Sequence, residues 1–335
     1  MDESPIDTTA APVTRMRVLV LGSAGFIGAR VVSALAASDW ALPVAAFRQT
    51  PPKLGAGIES RAVDATSTES LAQALVGVDA VVNCVNGDGR VLADSARSLF
   101  QAAAQCSPVP RVVHLSSMAV YGNVSGDIGE GTPLNGEFGP YAAAKVDAET
   151  AAGLCPNAVC LRPGVVYGAG GRQWSEDLAR LLLARRLGDL GAAGEGYCNP
   201  VHVDDVVAAI LASLRKPEVA GRTYNLAMSR RLDWNEYLRL YAGALGVSPV
   251  PVIGKLRLKL ELKLLAPALK ILEILLNKLK LAAVIRPPAL IPPSMGRLFR
   301  QTIRLDSRKA EQDLGLRWKP LEDGLAEAAA VYRGK

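Results

Sequence analysis

Short apolar blocks alternate with helix-like patterns along the first half of the chain. Residues 18–21 form an apolar run typical of a strand buried on both faces. Apolar residues at helical spacing follow at once, at Ala29, Val31, Val32 and Leu35. Further apolar blocks predict strands at 43–47, 61–64, 79–85 and 111–116. Strands that alternate with helices in this way predict a parallel, doubly wound α/β sheet with helices on both faces, a Rossmann-type fold.

Two helices are predicted between these later strands. Thr66 and Glu69 have the spacing of a capping box, so a helix is expected to begin there and run to about Val76. A second helix is expected over 91–105. Ligands of such sheets lie beyond the carboxyl ends of the strands, so each strand end is a candidate site position.

Three glycines at three-residue spacing separate the first predicted strand from its helix. In a strand–turn–helix unit, Gly22 allows the tight turn, Gly25 lets the backbone approach a pyrophosphate, and Gly28 lets the helix pack close to the strand. The helix N-terminus offers free N–H groups and the positive end of the helix dipole. A glycine-rich turn without a ligand has the same spacing, but the strand before it and the helix after it favour dinucleotide binding.

The residue after the second strand selects the cofactor. An acidic side chain there accepts from a ribose hydroxyl, whereas an arginine pairs with a 2′-phosphate. No acidic residue lies between Pro43 and Lys53, and Arg48 follows the strand directly. The sequence therefore favours NADP(H) over NAD(H). The alternative is that Arg48 is a solvated surface residue that binds no cofactor. Asp64 is expected to accept from the adenine amino group or to cap the nearby helix.

A second motif follows the fifth predicted strand. Tyr141 and Lys145 are four residues apart on an alanine-rich helix, so they share one face. The lysine cation is expected to lower the pKa of Tyr141. Such a tyrosine can exchange a proton with a substrate oxygen while hydride moves at the adjacent carbon, and the hydroxyl of Ser117 would hold the same oxygen.

With these motifs the chain resembles the extended short-chain dehydrogenases/reductases, also called the NAD-dependent epimerase/dehydratase family. The resemblance covers about residues 16–330 and includes Arg162–Gly168 (RPGVVYG), Asn199–Val206 (NPVHVDDV) and Asp306–Ala310 (DSRKA). It implies Ser117, Tyr141 and Lys145 as the catalytic set, with Lys145 also holding the nicotinamide ribose. It further implies a nicotinamide pocket at 163–166 and the homodimer that is common in the family.

The expected contacts follow from these motifs and strand ends. We expect the cofactor to contact Gly22, Ser23, Ala24, Gly25, Phe26, Ile27, Gly28, Arg48, Asp64, Ala65, Cys84, Val85, Tyr141, Lys145, Pro163, Val165 and Val166. We expect the substrate to contact Asn86, Met118, Ala119, Arg172 and Tyr197. His202 is expected to pack behind the site, and Asp204 and Asp205 to cap a helix. No metal site is expected, because the five cysteines lack metal-ligand spacing and the chain has only two histidines.

Two departures from the family pattern narrow the activity. Family dehydratases carry an Asp-Glu pair where this chain has Met118 and Ala119, which disfavours dehydration. Nucleotide-sugar epimerases usually have an arginine shortly before the His-Val-Asp-Asp stretch, whereas 197–200 holds no cation and leaves Arg172 or Arg222 for a diphosphate. The Asn-Pro-Val-His stretch looks more like the steroid-, terpenoid- or flavonoid-type reductases.

The sequence therefore predicts an NADP-dependent carbonyl reductase or alcohol dehydrogenase that acts on a small molecule. A nucleotide-sugar 4-epimerase or 4-ketoreductase is the first alternative. A non-catalytic dinucleotide sensor is the second, although such proteins have typically lost the tyrosine–lysine pair.

Three regions are expected: a disordered tail at 1–15, an NAD(P)-binding Rossmann domain at 16–167, and a smaller substrate lobe at 168–335 interleaved with the last strands of the sheet. Helices are predicted at Asp177–Arg186 and Asp233–Leu245. Three aromatic residues are candidates for the lining of the lobe, namely Trp174, Tyr197 and Trp234.

The net charge is +6, and most of the excess belongs to 255–281, which carries seven Lys and Arg against two Glu. This concentration argues against a nucleic-acid-binding surface. Residues 255–264 alternate charge and leucine, which predicts a strand, with a helix as the alternative. The pattern of residues 268–281 predicts a basic amphipathic helix. The proline pairs at 287–288 and 292–293 predict an extended connector after it. The segment 255–281 has three candidate roles: membrane docking, a lid over the substrate, or packing on the core or a second subunit.

The first residues of the chain and its cysteines indicate the cellular compartment of the protein. The first fifteen residues lack the basic start and apolar core of a signal peptide, and no apolar run reaches the length of about 18 residues that a spanning helix needs. The cysteines are odd in number, which favours reduced thiols. The sequence predicts a cytoplasmic protein, with membrane association through 255–281 left open.

Overall fold

The structure, a computed structural model, describes residues 15–52, 55, 57–265, 268, 269, 271, 272, 275, 291 and 293–332. The strands within this part of the chain are β1 (Met16–Leu21), β2 (Ala41–Phe47), β3 (Glu59–Ala62), β4 (Ala80–Asn83), β5 (Arg111–Leu115), β6 (Gly126–Ile128), β7 (Ala158–Pro163), β8 (Val165–Tyr167), β9 (Pro200–His202), β10 (Thr223–Leu226) and β11 (Ile303–Leu305). Seven of these described strands form one parallel sheet in the order β10-β7-β5-β4-β1-β2-β3. The predicted doubly wound fold is confirmed.

Helices cover both faces of this sheet and build a second lobe beside it. They are α1 (Phe26–Ala36), α2 (Thr68–Ala74), α3 (Gly89–Ala104), α4 (Pro140–Ala152), α5 (Asp177–Leu183), α6 (Val203–Arg215), α7 (Trp234–Leu245), α8 (Lys255–Leu260), α9 (Pro293–Leu298), α10 (Arg308–Leu314) and α11 (Leu321–Ala330). Among the described residues, none of these helices is long and apolar enough to cross a lipid bilayer.

Strand β1 shows why the sheet is covered on both faces. Side chains of a strand alternate between its two faces. Val18 and Val20 pack in the cluster that holds residues of α1 and α6, whereas Leu19 and Leu21 pack in the cluster that holds residues of α2, α3 and α4. Every strand of this sheet is parallel to its neighbours, so their carboxyl ends meet at one edge.

The second half of the chain supplies strand β10 and helix α6 to the sheet and also forms a lobe of its own. A separate apolar cluster joins α5, α7 and α11 around fully buried aromatic residues. Trp234 is completely buried and belongs to this core, so it is not part of the lining of the substrate lobe. Trp174 packs against it with ring centroids 5.7 Å apart.

Several local predictions need correction. The third strand of the sheet occupies 59–62 rather than 61–64, and the N-cap of α2 is Ser67, one residue later than the predicted capping box. The segment 255–264 is not a strand: α8 leads into a π-helical turn, Glu261–Leu265. Most of the predicted helix 268–281, the tail 1–14 and the proline pair at 287–288 lie outside the described residues. Pro293, of the second proline pair, begins α9.

Candidate active site

The turn between β1 and α1 has the shape that its glycines predict. Gly22 adopts φ +74°, and a Cβ on it would lie 2.6 Å from the carbonyl oxygen of Cys84. A Cβ on Gly28 would lie 2.2 Å from the carbonyl oxygen of Gly22. Gly25 is the N-cap of α1, and no side chain caps this helix end. Its first N–H groups are therefore available to a phosphate, and the turn fits a dinucleotide.

The end of β2 is hydrogen-bonded to this glycine turn and is followed by Arg48, the residue predicted to select the cofactor. The Ser23 hydroxyl donates to the carbonyl of Ala46 over 2.7 Å. Arg48, two residues further, is exposed. The carboxylate of Asp64 accepts from the N–H and the hydroxyl of Thr66, and these bonds, with a smaller effect of the Arg48 charge, hold the pKa of Asp64 below its usual value. Arg48 and Asp64 thus lie at the same edge.

The predicted catalytic side chains meet at the end of β5. Ser117 caps a 3₁₀ turn at Met118–Tyr121, with its Oγ accepting from the N–H of Ala119 over 3.2 Å. The side chain of Ser117 lies beside that of Tyr141 and lowers the pKa of its hydroxyl. Lys145 lies one turn further along α4, with its Nζ 5.9 Å from the centre of the Tyr141 ring. The motif spacing and the strand order together therefore bring these three groups into one place.

The protonation states differ from the expectation. Desolvation raises the pKa of Tyr141, and the interaction with Ser117 offsets only part of this rise. Tyr141 is nevertheless 44% exposed, so it borders open space. Burial lowers the pKa of Lys145 to about 8, and its Nζ donates to the carbonyl of Leu115 over 2.7 Å. The predicted lowering of the Tyr141 pKa is wrong for this state of the chain.

A buried ion pair supports this group from behind. Glu149 follows Lys145 by one helical turn and pairs with Arg162 of β7 at 2.5 Å, with side chains only 6% and 5% exposed. The hydroxyl of Ser116 donates to the same carboxylate. Arg162 also donates to the hydroxyl of Tyr121 over 2.8 Å. The pair therefore joins β5, α4, β7 and the 3₁₀ turn, the elements that surround the catalytic side chains.

The remaining predicted cofactor contacts lie at neighbouring strand ends. The N–H of Val85 donates to the Asn83 side chain over 3.1 Å, and burial raises the pKa of the Cys84 thiol to about 12. Pro163 ends β7, and the N–H of Val165 donates to the carbonyl of Asn199 over 2.7 Å. Their contacts with a nicotinamide stay predictions.

Comparison with known proteins identifies the family. The family model described as "NAD dependent epimerase/dehydratase family" matches residues 18–227. This chain belongs to the NAD-dependent epimerase/dehydratase family. The resemblance proposed from the motifs is thereby confirmed, and the protein is an NAD(P)-dependent oxidoreductase or epimerase of the extended short-chain dehydrogenase/reductase group.

Individual relatives within this group have several activities. The chain is 30% identical over 251 residues to a 2′-dehydrokanamycin reductase of Streptomyces kanamyceticus, covering 71% of this chain and 69% of the relative. It is 26% identical over 244 residues to a ceramide reductase of Caulobacter vibrioides, covering 69% and 71%. A Bacillus cereus UDP-glucuronic acid 4-epimerase, solved with UDP-glucuronic acid and NAD, superposes with a TM-score of 0.69 at 18% identity over 94% of this chain and 98% of that one. At this identity the last match shows the fold alone.

The predicted substrate residues of this family member fall in different surroundings. Met118 packs into a core cluster with Tyr121 and Ile303, so the structure buries it instead of exposing it to the cleft. Ala119 and Tyr197 are half-buried, and Asn86 is exposed. Each of these three stays a prediction as a substrate contact.

The two arginines proposed for a diphosphate differ in position. Arg172 is exposed and begins a π-helical turn. The preceding residue, Gly171, lies against Phe26, because a Cβ on this glycine would be 2.9 Å from the Phe26 ring. It is therefore close to the glycine turn. Arg222 precedes β10 and pairs with Asp313 at 2.8 Å. Because this is the amino end of the strand, opposite the catalytic edge, the suggestion that Arg222 binds a diphosphate is wrong.

His202 and its neighbours form a structural cluster at the start of α6. His202 itself is the N-cap, with Nδ1 accepting from the N–H of Asp204 over 3.3 Å, so neither aspartate caps the helix as predicted. Its buried ring packs edge-on against Tyr167 with centroids 5.3 Å apart. His202, Asp204 and Glu327 could offer metal ligands, but the Lys319 ammonium contacts both carboxylates at 3.0 and 2.8 Å and already neutralises part of their charge.

One cation beside the catalytic helix, Arg297, was not predicted from the sequence. The Arg297 guanidinium of α9 lies over the Phe138 ring, 5.1 Å from its centre, and close to Gly139. Tyr141 follows only two residues later. Sequence spacing holds no signal for this contact, because more than 150 residues of chain separate the partners. Glu149, by contrast, could have been found from its i,i+4 relation to Lys145.

Proposed function

We propose that this protein is an NADP-dependent oxidoreductase of the carbonyl reductase or alcohol dehydrogenase type. The observation that carries the proposal is the convergence of Ser117, Tyr141 and Lys145 at the catalytic edge, with Lys145 one helical turn from Tyr141. The named activities of the two sequence relatives, which are both reductases, favour reduction over epimerisation. The homodimer and the cytoplasmic location stay predictions from the sequence.

The nicotinamide, when bound, supplies or accepts the hydride. The Ser117 hydroxyl donates to the carbonyl oxygen of the substrate and orients it, and Tyr141 gives its proton to that oxygen as the general acid. The raised pKa of Tyr141 keeps this proton in place at neutral pH, which suits the direction of reduction. Lys145, with a pKa of about 8, carries its charge at neutral pH and stabilises the tyrosinate that remains.

The residues that would hold the cofactor support NADP. The glycine turn and the uncapped N-terminus of α1 suit the pyrophosphate. Arg48 stands beyond β2, at the position where an arginine selects a 2′-phosphate, and its guanidinium can form charge-assisted hydrogen bonds to that group.

A nucleotide-sugar 4-epimerase or 4-ketoreductase is the second candidate. Arg297 favours it, because a guanidinium near the N-terminus of the catalytic helix could bind a diphosphate. The non-catalytic sensor is disfavoured, because the chain keeps Ser117, Tyr141 and Lys145 together.

The test is to identify the nucleotide that stays with the purified protein and to titrate NADPH and NADH into the nucleotide-free protein. We expect readily exchanged NADPH that is consumed when carbonyl compounds are added. Arg48→Ala should weaken NADPH binding by about tenfold to a hundredfold and leave NADH binding unchanged. Arg317→Ala, at another exposed arginine, is the matched control.

Other outcomes would change the assignment. Tightly held oxidised NAD that substrates do not consume would move the protein to the epimerases. Equal loss of NADPH and NADH affinity in Arg48→Ala would remove the role of Arg48 in cofactor choice. Bound NADPH without turnover of any carbonyl or sugar would favour the sensor.

A further inference from the structure

Large apolar side chains are exposed together in one region of the described chain. Val252 is 76% exposed, Leu256 73% and Leu260 45%. Leu265, Ile271, Leu272 and Leu275 are exposed as well, whereas the other exposed large apolar residues are scattered singly along the chain. Single exposed leucines are ordinary, but a group of them in one segment marks an interaction site.

Exposed cations accompany these leucines. Lys255, Lys259 and Lys263 are exposed and follow one another at four-residue spacing, next to the pair Leu256 and Leu260. The acid between them, Glu261, is buried and paired with Arg186 at 2.6 Å. We name the exposed side chains of Val252, Lys255, Leu256, Lys259, Leu260 and Lys263 the basic apolar surface.

The inner side of α8 holds this surface in a defined orientation. Leu258 is 2% exposed and packs in the core of the second lobe. The Arg186–Glu261 pair and a hydrogen bond of 3.0 Å from Arg257 to the carbonyl of Arg185 tie the helix to the body. The outward leucines are therefore presented by a docked helix.

We propose that the basic apolar surface docks on an anionic lipid bilayer. Leucines flanked by lysines match the two layers of such a bilayer, since the apolar side chains enter the acyl boundary while the ammonium groups contact lipid phosphates. A second copy of the chain fits less well. In a two-fold interface the same patch meets itself, which would bring the lysines of both copies together.

The surface is connected to the catalytic helix through α9. The turn Glu261–Leu265 contacts α9, and α9 carries Arg297 over the Phe138 ring, close to the start of the catalytic helix. The docking proposal does not depend on the reaction, and its test measures binding without any substrate.

The experiment is sedimentation of the full chain with vesicles of phosphatidylcholine, with and without phosphatidylglycerol. We expect binding to the anionic vesicles, weakened by high salt, and little binding to the neutral ones. Leu256→Ser/Leu260→Ser and Lys255→Glu/Lys259→Glu should each lower the partition coefficient by about tenfold or more. The matched controls, Val76→Ser/Leu154→Ser and Arg97→Glu/Arg317→Glu, should bind like the wild type.

Sedimentation velocity without vesicles completes the test. Absence of vesicle binding by the wild type, or equal binding by the surface variants and their controls, would overturn the proposal. A dimer that Leu256→Ser/Leu260→Ser dissociates would assign the surface to a second copy instead. Retained dinucleotide binding in each variant shows that a loss of vesicle binding does not come from unfolding.

Discussion

Among single residues, Tyr141 bears most directly on the chemistry, because its hydroxyl lies beside Ser117 and its raised pKa keeps the proton available. We expect Tyr141→Phe to lower kcat for carbonyl reduction by roughly 10²–10⁴-fold, since the general acid is lost. The dissociation constant of the cofactor, measured by fluorescence titration, should stay unchanged. Tyr332→Phe, at a half-buried tyrosine near the C-terminus, serves as the control.

The variant Ser117→Ala tests the contribution of the Ser117 hydroxyl separately from that of Tyr141. It removes a hydrogen bond to the substrate oxygen but leaves the acid, so its loss of kcat should be smaller than that of Tyr141→Phe. Full activity of Tyr141→Phe would contradict the proposed mechanism.

The catalytic side chains could be predicted at the residue scale because their motifs are local. Tyr141 and Lys145 lie on one helix, and Ser117 follows β5, which is parallel to both of its neighbours in the sheet. The pKa of Tyr141 could not be predicted, since it depends on the burial of the hydroxyl and on its interaction with Ser117. Both are products of tertiary packing.

Between elements, the buried pair Glu149–Arg162 is the main polar connection near the site. Glu149→Gln keeps the shape of the side chain and leaves the Arg162 charge buried without its partner. We expect a loss of about 3–5 kcal/mol in the free energy of unfolding, measured by urea denaturation. Asp94→Asn in the exposed pair Arg97–Asp94 should cost less than about 1 kcal/mol.

A double variant tests the cause of this loss. If the unpaired charge of Arg162 is responsible, Glu149→Gln/Arg162→Met should be more stable than Glu149→Gln alone. Equal stability of the single and double variants would instead assign the loss to other contacts of Glu149, such as that with Ser116.

Element prediction succeeded where the pattern of burial is simple. The four apolar residues of β1 are buried on both faces, which the unbroken run 18–21 predicts. It failed at α8, where alternation of lysine and leucine suggests a strand. Leu258 is buried, whereas Leu256 and Leu260 are exposed, so the leucines do not share one face. The alternation therefore arises because a helix exposes leucines as well as lysines to solvent.

For the whole molecule, the C-terminal part is joined to the sheet layer through Asp205 of α6. Its carboxylate accepts from the backbone N–H of Lys319 at 3.1 and 3.2 Å, just before α11. This contact holds the second lobe against the helix that covers one face of the sheet. The sequence suggested only a helix cap for Asp205, because the partner lies 114 residues away.

The same aspartate makes global stability depend on pH. Burial raises the pKa of Asp205 from 3.8 to about 6, although the hydrogen bond from Lys319 opposes the rise. The folded chain therefore binds more protons than the unfolded chain between about pH 4 and pH 6, and the free energy of unfolding falls as the pH rises through this window. Asp205→Asn cannot titrate, so its stability relative to the wild type should increase by about 2–3 kcal/mol from pH 4 to pH 7. Urea denaturation of both proteins across this range measures the difference, from which the acids common to both cancel. A difference that stays constant with pH would show that Asp205 titrates alike in the folded and unfolded chains.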